Sequence, residues 1–370
     1  MLRRQFLSSA ALMAAQPQPP FTPLFNGRNL DGWHVVDGPD SAFYTDDGAI
    51  VVSEAANSPA WLRSAKQYEN FEFRAEFFVK GWIDSGLLLH APLHGNAQDA
   101  GFCIKLFHKN EPPKPEGMGS IFPLVPPKTV NVKSKGEWNE IRVHFDWPRL
   151  QVWTNGEAVQ DVDAEKNPEL ASRLRQGYIG LQSLSYPIRF RNIEIRELAP
   201  KVKWQSLYTR PADLSANWQV EEGKAKWSPM DDTLRADGLG HLMTRERFKD
   251  FALELYVRAS RHSNGGILFR AEGSGGNKAH YEIQLHDVEG AVYPTGSLYG
   301  LKRAKYPHIP PESWYLFQLF VKDRRALIRV NGESVTDYNA LDRTGDGHIL
   351  LQAHQAGRWI EYKDIRVRAI

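Results

Sequence analysis

From residue 71 the chain reads FEFRAEFFV, with Phe71, Phe73, Ala75, Phe77 and Val79 at every second position and charged residues mostly between them. A period of two puts successive side chains on opposite faces of a β-strand, so this run predicts a half-buried strand. The same alternation returns in IRVHF, LQVWT and FRNIEIREL, and later in LELYVRA, YEIQLH, LFQLFVK and ALIRVNG. Asn155-Gly156 and Asn331-Gly332 separate such runs, and Asn-Gly is the dipeptide that two-residue hairpins favour. Helical periodicity is confined to DAEKNPELASRLRQG (163–177), which predicts one short helical turn. Many strands at short spacing, with no helices between them, predict an all-β sandwich or jelly roll.

The pattern occurs twice. FEFRAEFFVKGWIDSGLLLHA (71–91) parallels FALELYVRASRHSNGGILFRA (251–271), and WNEIRVHFDWPRLQVWTNGE (138–157) parallels WYLFQLFVKDRRALIRVNGE (314–333). GYIGLQS (177–183) answers to GHILLQA (347–353), and LFNGRNLDGW to LYTRPADLSANW. Internal repetition at this period means duplicated structural units. The expected division is an export signal and linker over 1–20, a first copy over 21–198 and a second over 204–370, joined by LAPKVK. Trp33, Trp138, Trp218 and Trp314 recur in both copies and read as core. Trp82 and Trp359 do not recur, and suit either packing or stacking on a ligand ring.

Composition narrows the class. The 370 residues carry a formal net charge of +2, which leaves no basic excess to hold nucleic acid or an anionic membrane. The lone cysteine, Cys103, has no partner for a disulfide and cannot build a cysteine-based zinc site. MLRRQFLSSAALMAA has a basic pair followed by an apolar stretch too short to span a bilayer. Its Arg-Arg-x-Phe-Leu order resembles a twin-arginine export signal, so the expected location is periplasmic or extracellular. No later segment is long and apolar enough for an integral membrane span.

LFNGRNLDGW, SGLLLHA, GEWNEIRVHF, VWTNGE, GLQS and FRNIEIREL together resemble the 3-keto-disaccharide hydrolase domain family. The second copy resembles it through NGGILFRAE, YEIQLHD, TGSLYG, SWYLFQLFVK, VNGESVTDYN and LQAH. The resemblance implies two tandem concanavalin A-like jelly-roll domains. It also implies an exported hydrolase, or lyase, acting on the glycosidic bonds of 3-keto sugars, with a small carbohydrate as substrate.

The two copies differ on one polar face. Glu282, Gln284 and His286 stand where the first copy has Cys103, Lys105 and Phe107. Arg270 replaces His90, Asp287 replaces His108 and His354 replaces Leu184, whereas Gln352 keeps the identity of Gln182. TGSLYG has only a distorted echo in GMGSIFPLVPP. The face is coherent by parity, since Glu282, Gln284 and His286 share one side of a strand and Gln352 and His354 one side of another. In the resembled family the matching arginine, glutamate and histidine line the cleft. The resemblance therefore implies Arg270, Glu282, Tyr299 and His354 as the catalytic set, with Gln284, His286, Asp287 and Gln352 binding substrate. The first copy departs from the family at several of these positions, so its site reads as degenerate.

An ordinary glycosidase needs two carboxyl groups ~5–9.5 Å apart across the scissile bond. Glu282 and Asp287 have opposite parity and would lie ~16 Å apart in a continuing strand. A 3-keto sugar offers another route. The ketone acidifies the C2 proton, a base removes it, the enolate expels the C1 substituent, and water then adds to the product. That chemistry asks for His354 or Glu282 as base, Arg270 as oxyanion stabiliser and Tyr299 as proton donor. No cofactor is expected. A divalent metal held by His286, Glu282 or Asp287 is the alternative stabiliser, although no metal-binding spacing is present. The competing reading is a non-catalytic, lectin-like carbohydrate-binding protein, which the same fold also serves.

Overall fold

The computed structural model describes residues 19–56, 59–133, 135–273, 279–286, 288 and 290–370. The export segment read over 1–20 lies almost wholly outside these residues, and so does Asp287.

The alternating runs form strands, and their apolar positions point inward. Phe71–Val79 buries Phe71, Phe73, Ala75, Phe77 and Val79, facing Ile141, Val143 and Phe145 across the antiparallel register. Burial of each large side chain is worth ~1.5–3 kcal/mol relative to exposure, so this parity fixes the register. The first half holds one sheet of eight strands and one of five, and the second half holds the same pair with the same strand order. All pairings are antiparallel among the described strands. Each half has its own apolar core between its two sheets. The protein is thus all-β, two tandem jelly-roll sandwiches. Both Asn-Gly hairpins carry left-handed angles at both residues, Asn155 at 51° and Gly156 at 82°, Asn331 at 50° and Gly332 at 85°. The predicted helical turn is Pro168–Ala171, opened by the Asn167 side chain accepting from the Glu169 N–H.

Trp33 and Trp218 are core residues in matching roles, their indoles donating to the Leu24 and Leu207 carbonyls at 2.8 and 2.9 Å. Trp138 and Trp314 are not core. They are half-buried on the outer face of the large sheets, beneath Arg191 in one copy and beneath Arg258 and Lys363 in the other.

The outer face of the second copy's large sheet packs against the first copy. Tyr256 Oη accepts from the Leu93 N–H at 2.8 Å, and His94 stacks on Trp314 with ring centroids 5.9 Å apart. Ala100 and Leu174 of the first copy join Tyr256 and Leu316 of the second in one apolar cluster. Arg329 donates to the carbonyls of Ser172 and Asp99 across the junction, and burial pulls its pKa down to about 10. Glu254, also buried there, accepts from Arg366 at 2.9 Å and from Gln318 at 2.9 Å. The buried Glu254 charge is tolerable there because the Arg366 guanidinium pairs with it.

Each five-stranded sheet bends at one left-handed residue, His90 at 50° and Arg270 at 46°. Gly177 and Gly347 stand against these bends. A Cβ on Gly347 would lie 2.3 Å from the Arg270 carbonyl carbon, and one on Gly177 would lie 2.4 Å from that of His90. This close approach explains the glycine that opens both GYIGLQS and GHILLQA. Gly347→Ala is expected to cost ~2–4 kcal/mol through overpacking against backbone. Gly345→Ala, with open space at its Cβ, should stay within ~0.5 kcal/mol of the parent. Chemical denaturation of the two variants checks the contrast, and equal stabilities would remove the bend as a constraint.

Candidate functional site

The strand Tyr281–Leu285 is the edge of the second copy's five-stranded sheet. Tyr281, Ile283 and Leu285 join the core, so Glu282 and Gln284 face outward, with His286 following the strand end. On the neighbouring strand Gly266 lies opposite Gln284 on one side and Gln352 on the other. Gln352 in turn lies opposite His241. The outer surface therefore carries a row running Gln284, Gly266, Gln352 and His241, with Glu282 one step along the edge strand. Neighbouring strands lie ~4.8 Å apart, so Gln284 and Gln352 flank Gly266 at ~10 Å from each other.

The absent side chain at Gly266 leaves room for Glu282. A Cβ there would sit 2.8 Å from Glu282 Oε1 and 3.1 Å from its Cγ. Glu282 is half-buried, without a hydrogen-bond or ion-pair partner among the described residues, and burial alone raises its pKa above the usual carboxylate range. The other polar groups are partly engaged. Gln284 Nε2 donates to Asn264 Oδ1, and Gln352 Nε2 lies 3.2 Å from His241 Nε2. With the amide donating to Nε2, the His241 proton sits on Nδ1, which is buried and has no partner among the described residues. Burial lowers the His241 pKa, with His280 and His354 acting in the same direction and Glu222 opposing. Burial also lowers that of His286, helped by His262 and His354. His354 thus stands within electrostatic reach of both imidazoles, exposed at the far end of the face.

Tyr299 meets Glu282 from the other side. The segment Thr295–Lys302 runs along the free edge of the strand, where the Tyr299 N–H donates to the Glu282 carbonyl at 2.9 Å and Gln284 N–H to the Ser297 carbonyl at 2.9 Å. The first copy repeats these bonds, Phe122 to Cys103 and Lys105 to Ser120, so GSIF and GSLY correspond residue for residue. The echo that is distorted in sequence is regular in backbone. Beyond this edge opens a cleft of about 520 Å³ that Glu282, Tyr299 and Arg343 line together. Arg343 lies 4.7 Å from the Tyr281 ring centroid, and its buried Nε has no partner among the described residues. The Tyr281 hydroxyl accepts from the Asp342 and Arg343 N–H groups, each at 2.8 Å, which fixes this wall.

Arg270 does not join the site. The left-handed bend removes it from the strand alternation and turns its side chain inward, where it is 1% exposed. Its guanidinium donates to the carbonyls of Lys249, Asp323 and Arg343 and to the Asp250 carboxylate. His90 does the same work in the first copy, bonding the carbonyls of Leu174 and Glu69 at 2.9 and 2.6 Å. The expected oxyanion stabiliser is therefore a structural brace. The sequence reading also missed His241 and Arg343. His241 was recoverable, since it stands where the first copy has Trp61, both being opposite the matching glutamine. Among the described residues no group of three or more His, Cys, Asp or Glu side chains is arranged to hold a metal ion. No helix among them is long and apolar enough to cross a membrane.

Of the tryptophans that do not recur, Trp82 is 62% exposed against His108, and Trp359 lies beneath Arg235 and Arg258. Neither lines the cleft.

No curated protein sequence matches the chain. Among solved structures, two crystal structures of candidate glycosyl hydrolases from Parabacteroides distasonis are similar at 22% and 24% identity. They cover 48% and 49% of this chain and 94% and 100% of their own, each with a TM-score of 0.43. A carbohydrate-binding module from Bacillus subtilis is similar at 16% identity over 41% of this chain and 96% of its own, with a TM-score of 0.31. The model of the 3-keto-α-glucoside-1,2-lyase-like domain matches residues 20–196 and again residues 203–368. With nearly all of its length matched in two successive segments, the chain belongs to the 3-keto-α-glucoside-1,2-lyase-like domain family and carries that domain twice.

Proposed function

We propose that the second copy cleaves 3-keto glycosides by removing the C2 proton, with Glu282 as the base. Family membership supports a carbohydrate-active protein. The observation that carries the finer reading is Glu282 itself, a half-buried carboxyl without a partner, in one cleft with a phenol and a guanidinium. The Glu282 carboxylate takes the proton from C2, and the C–H electron pair forms the enolate with the C3 carbonyl. Arg343 faces the developing oxyanion in the role first expected of Arg270. Collapse of the enolate restores the ketone, forms the C1–C2 double bond and breaks the bond from C1 to the leaving oxygen. Tyr299 protonates that oxygen. Water then adds its hydroxyl to C1 and a proton to C2, so the net change is hydrolysis; release before this addition makes the reaction a lyase step. Gln284 and Gln352, on either side of Gly266, supply amides for sugar hydroxyls, and His286 and His354 extend the same face.

Glu282→Gln is expected to lower kcat/KM on a 3-keto glucoside by ~10²–10⁴-fold, the range of general base catalysis. Sugar that binds to the parent protein without any release would favour the lectin-like reading instead. The same variant tests the physical state of the carboxyl. The folded-state pKa of Glu282 is raised, so its proton is held more tightly in the folded than in the unfolded chain. Its stabilising share is fully present below the unfolded-state pKa and disappears as pH rises through the folded-state pKa. Glu282→Gln should therefore be more stable than the parent at pH 7 and no more stable at pH 3, as thermal unfolding at the two values will read. Arg270→Gln should behave oppositely. It leaves buried carbonyls without donors and costs ~2–4 kcal/mol, while kcat/KM per folded molecule stays within ~threefold of the parent. A large loss of turnover with unchanged stability would return Arg270 to the catalytic set.

A further inference from the structure

The first copy has its own pocket on the face that corresponds to the candidate site. It measures about 160 Å³ and lies over the outer surface of the first copy's five-stranded sheet, beneath the short helix Ala97–Ala100. Trp61 and Leu88 line it from the sheet, with Gln182 beside them, and Gln98 lines it from the helix. Trp61 takes the place of His241, and Gln182 keeps that of Gln352.

Two amides on this pocket are not engaged by other side chains or backbone among the described residues. Gln182 is 8% exposed and its carboxamide makes no hydrogen bond among the described residues, and the same holds for the side chain of Gln98. Both carboxamides therefore keep their donors and acceptor available to a ligand hydroxyl. The Trp61 indole N–H donates to Asp37 Oδ2 at 3.3 Å, which ties a carboxylate to the aromatic wall. An aromatic wall with amides and one carboxylate around it is the chemistry of a sugar ring, whose C–H faces are apolar and whose rim is hydroxyl. A cavity of ~150 Å³ holds one six-membered ring. Among the described residues the one ionisable side chain on the lining, Asp37, is acidic, and this favours a neutral sugar over a carboxylated one.

What the first copy lacks is a counterpart of Glu282. Cys103 stands where Glu282 stands, its Sγ 2.5 Å from a Cβ built on Gly86, the counterpart of Gly266. Burial pushes the Cys103 thiol up to about 12, so it stays protonated. Lys105, the counterpart of Gln284, is tied to Asp84.

We infer that the first copy binds a single neutral pyranose ring between Trp61, Gln98 and Gln182 without cleaving it. The inference shares its ligand class with the proposed function but does not depend on turnover. Calorimetric titration of the full chain with methyl α-D-glucopyranoside, alongside crystals soaked in the same glycoside, tests it. The parent should show binding that Gln182→Leu weakens by roughly tenfold, the cost of one amide–hydroxyl pairing. Turnover of a 3-keto glucoside by the variant should be unchanged, and the methyl glycoside of glucuronic acid should not compete. Soaked parent crystals should show the ring against Trp61. Heat of binding that is indifferent to Gln182→Leu, or no sugar at Trp61 in the soaked parent, overturns the inference, and the soaked crystal decides even if the variant misfolds. Sugar at Trp61 with no turnover anywhere would instead overturn the proposed function and leave this one standing.

Discussion

The candidate site depends on the missing side chain at Gly266. This glycine lies between Gln284 and Gln352, and the Glu282 carboxyl occupies the volume that a Cβ would claim. The carboxyl rests against the sheet with no cation or donor among the described residues to hold its charge, and burial raises its affinity for a proton. A carboxylate tied to a nearby arginine would be more stable and a poorer base. The strand thus bears an unfavourable local interaction that packing elsewhere offsets, as functional sites commonly do.

The duplication shows how freely that outer face can vary. The inward-facing residues of both copies are committed to their cores, and parity leaves every second position outside. In the first copy those outer positions became Trp61, Leu88 and Cys103, covered by residues 92–101. The same segment meets the second copy through Leu93, His94 and the Asn331-Gly332 hairpin, where a Cβ on Gly332 would lie 2.3 Å from Ala100 N. One loop thus roofs part of one face and joins the two domains. The second copy contributes its large sheet to that junction, and its small sheet keeps the polar face with Glu282, Gln284 and Gln352.

Most of the fold was legible in the sequence because period-two alternation and the internal repeat are both direct consequences of burial on one face. The cross-strand registers reproduce the alignment of Gln284 with Lys105 and of Gln352 with Gln182. The site was legible in part. Glu282 and Tyr299 do meet in one cleft, since parity and edge pairing bring them there. Arg270 misled because a left-handed bend interrupts the alternation, and nothing in an arginine signals that conformation. Its counterpart His90 has the same bend and the same bonds to carbonyls, a sign that the shared feature was the bend itself. Arg343 was not legible, because a loop between strands brings it to the cleft and loops carry no period. His241 lies on a strand, and its contrast with Trp61 was open to the same comparison that singled out Glu282.

In the proposed reaction Glu282 removes the proton from C2 before the glycosidic bond breaks. Cleavage of a 3-keto glucoside in D₂O, followed by NMR at early times, tests it most directly. The released sugar is expected to carry deuterium at C2, and Glu282→Gln to abolish both release and exchange. Release with the original hydrogen retained at C2, or exchange at the parental rate in the Glu282→Gln variant, would contradict it.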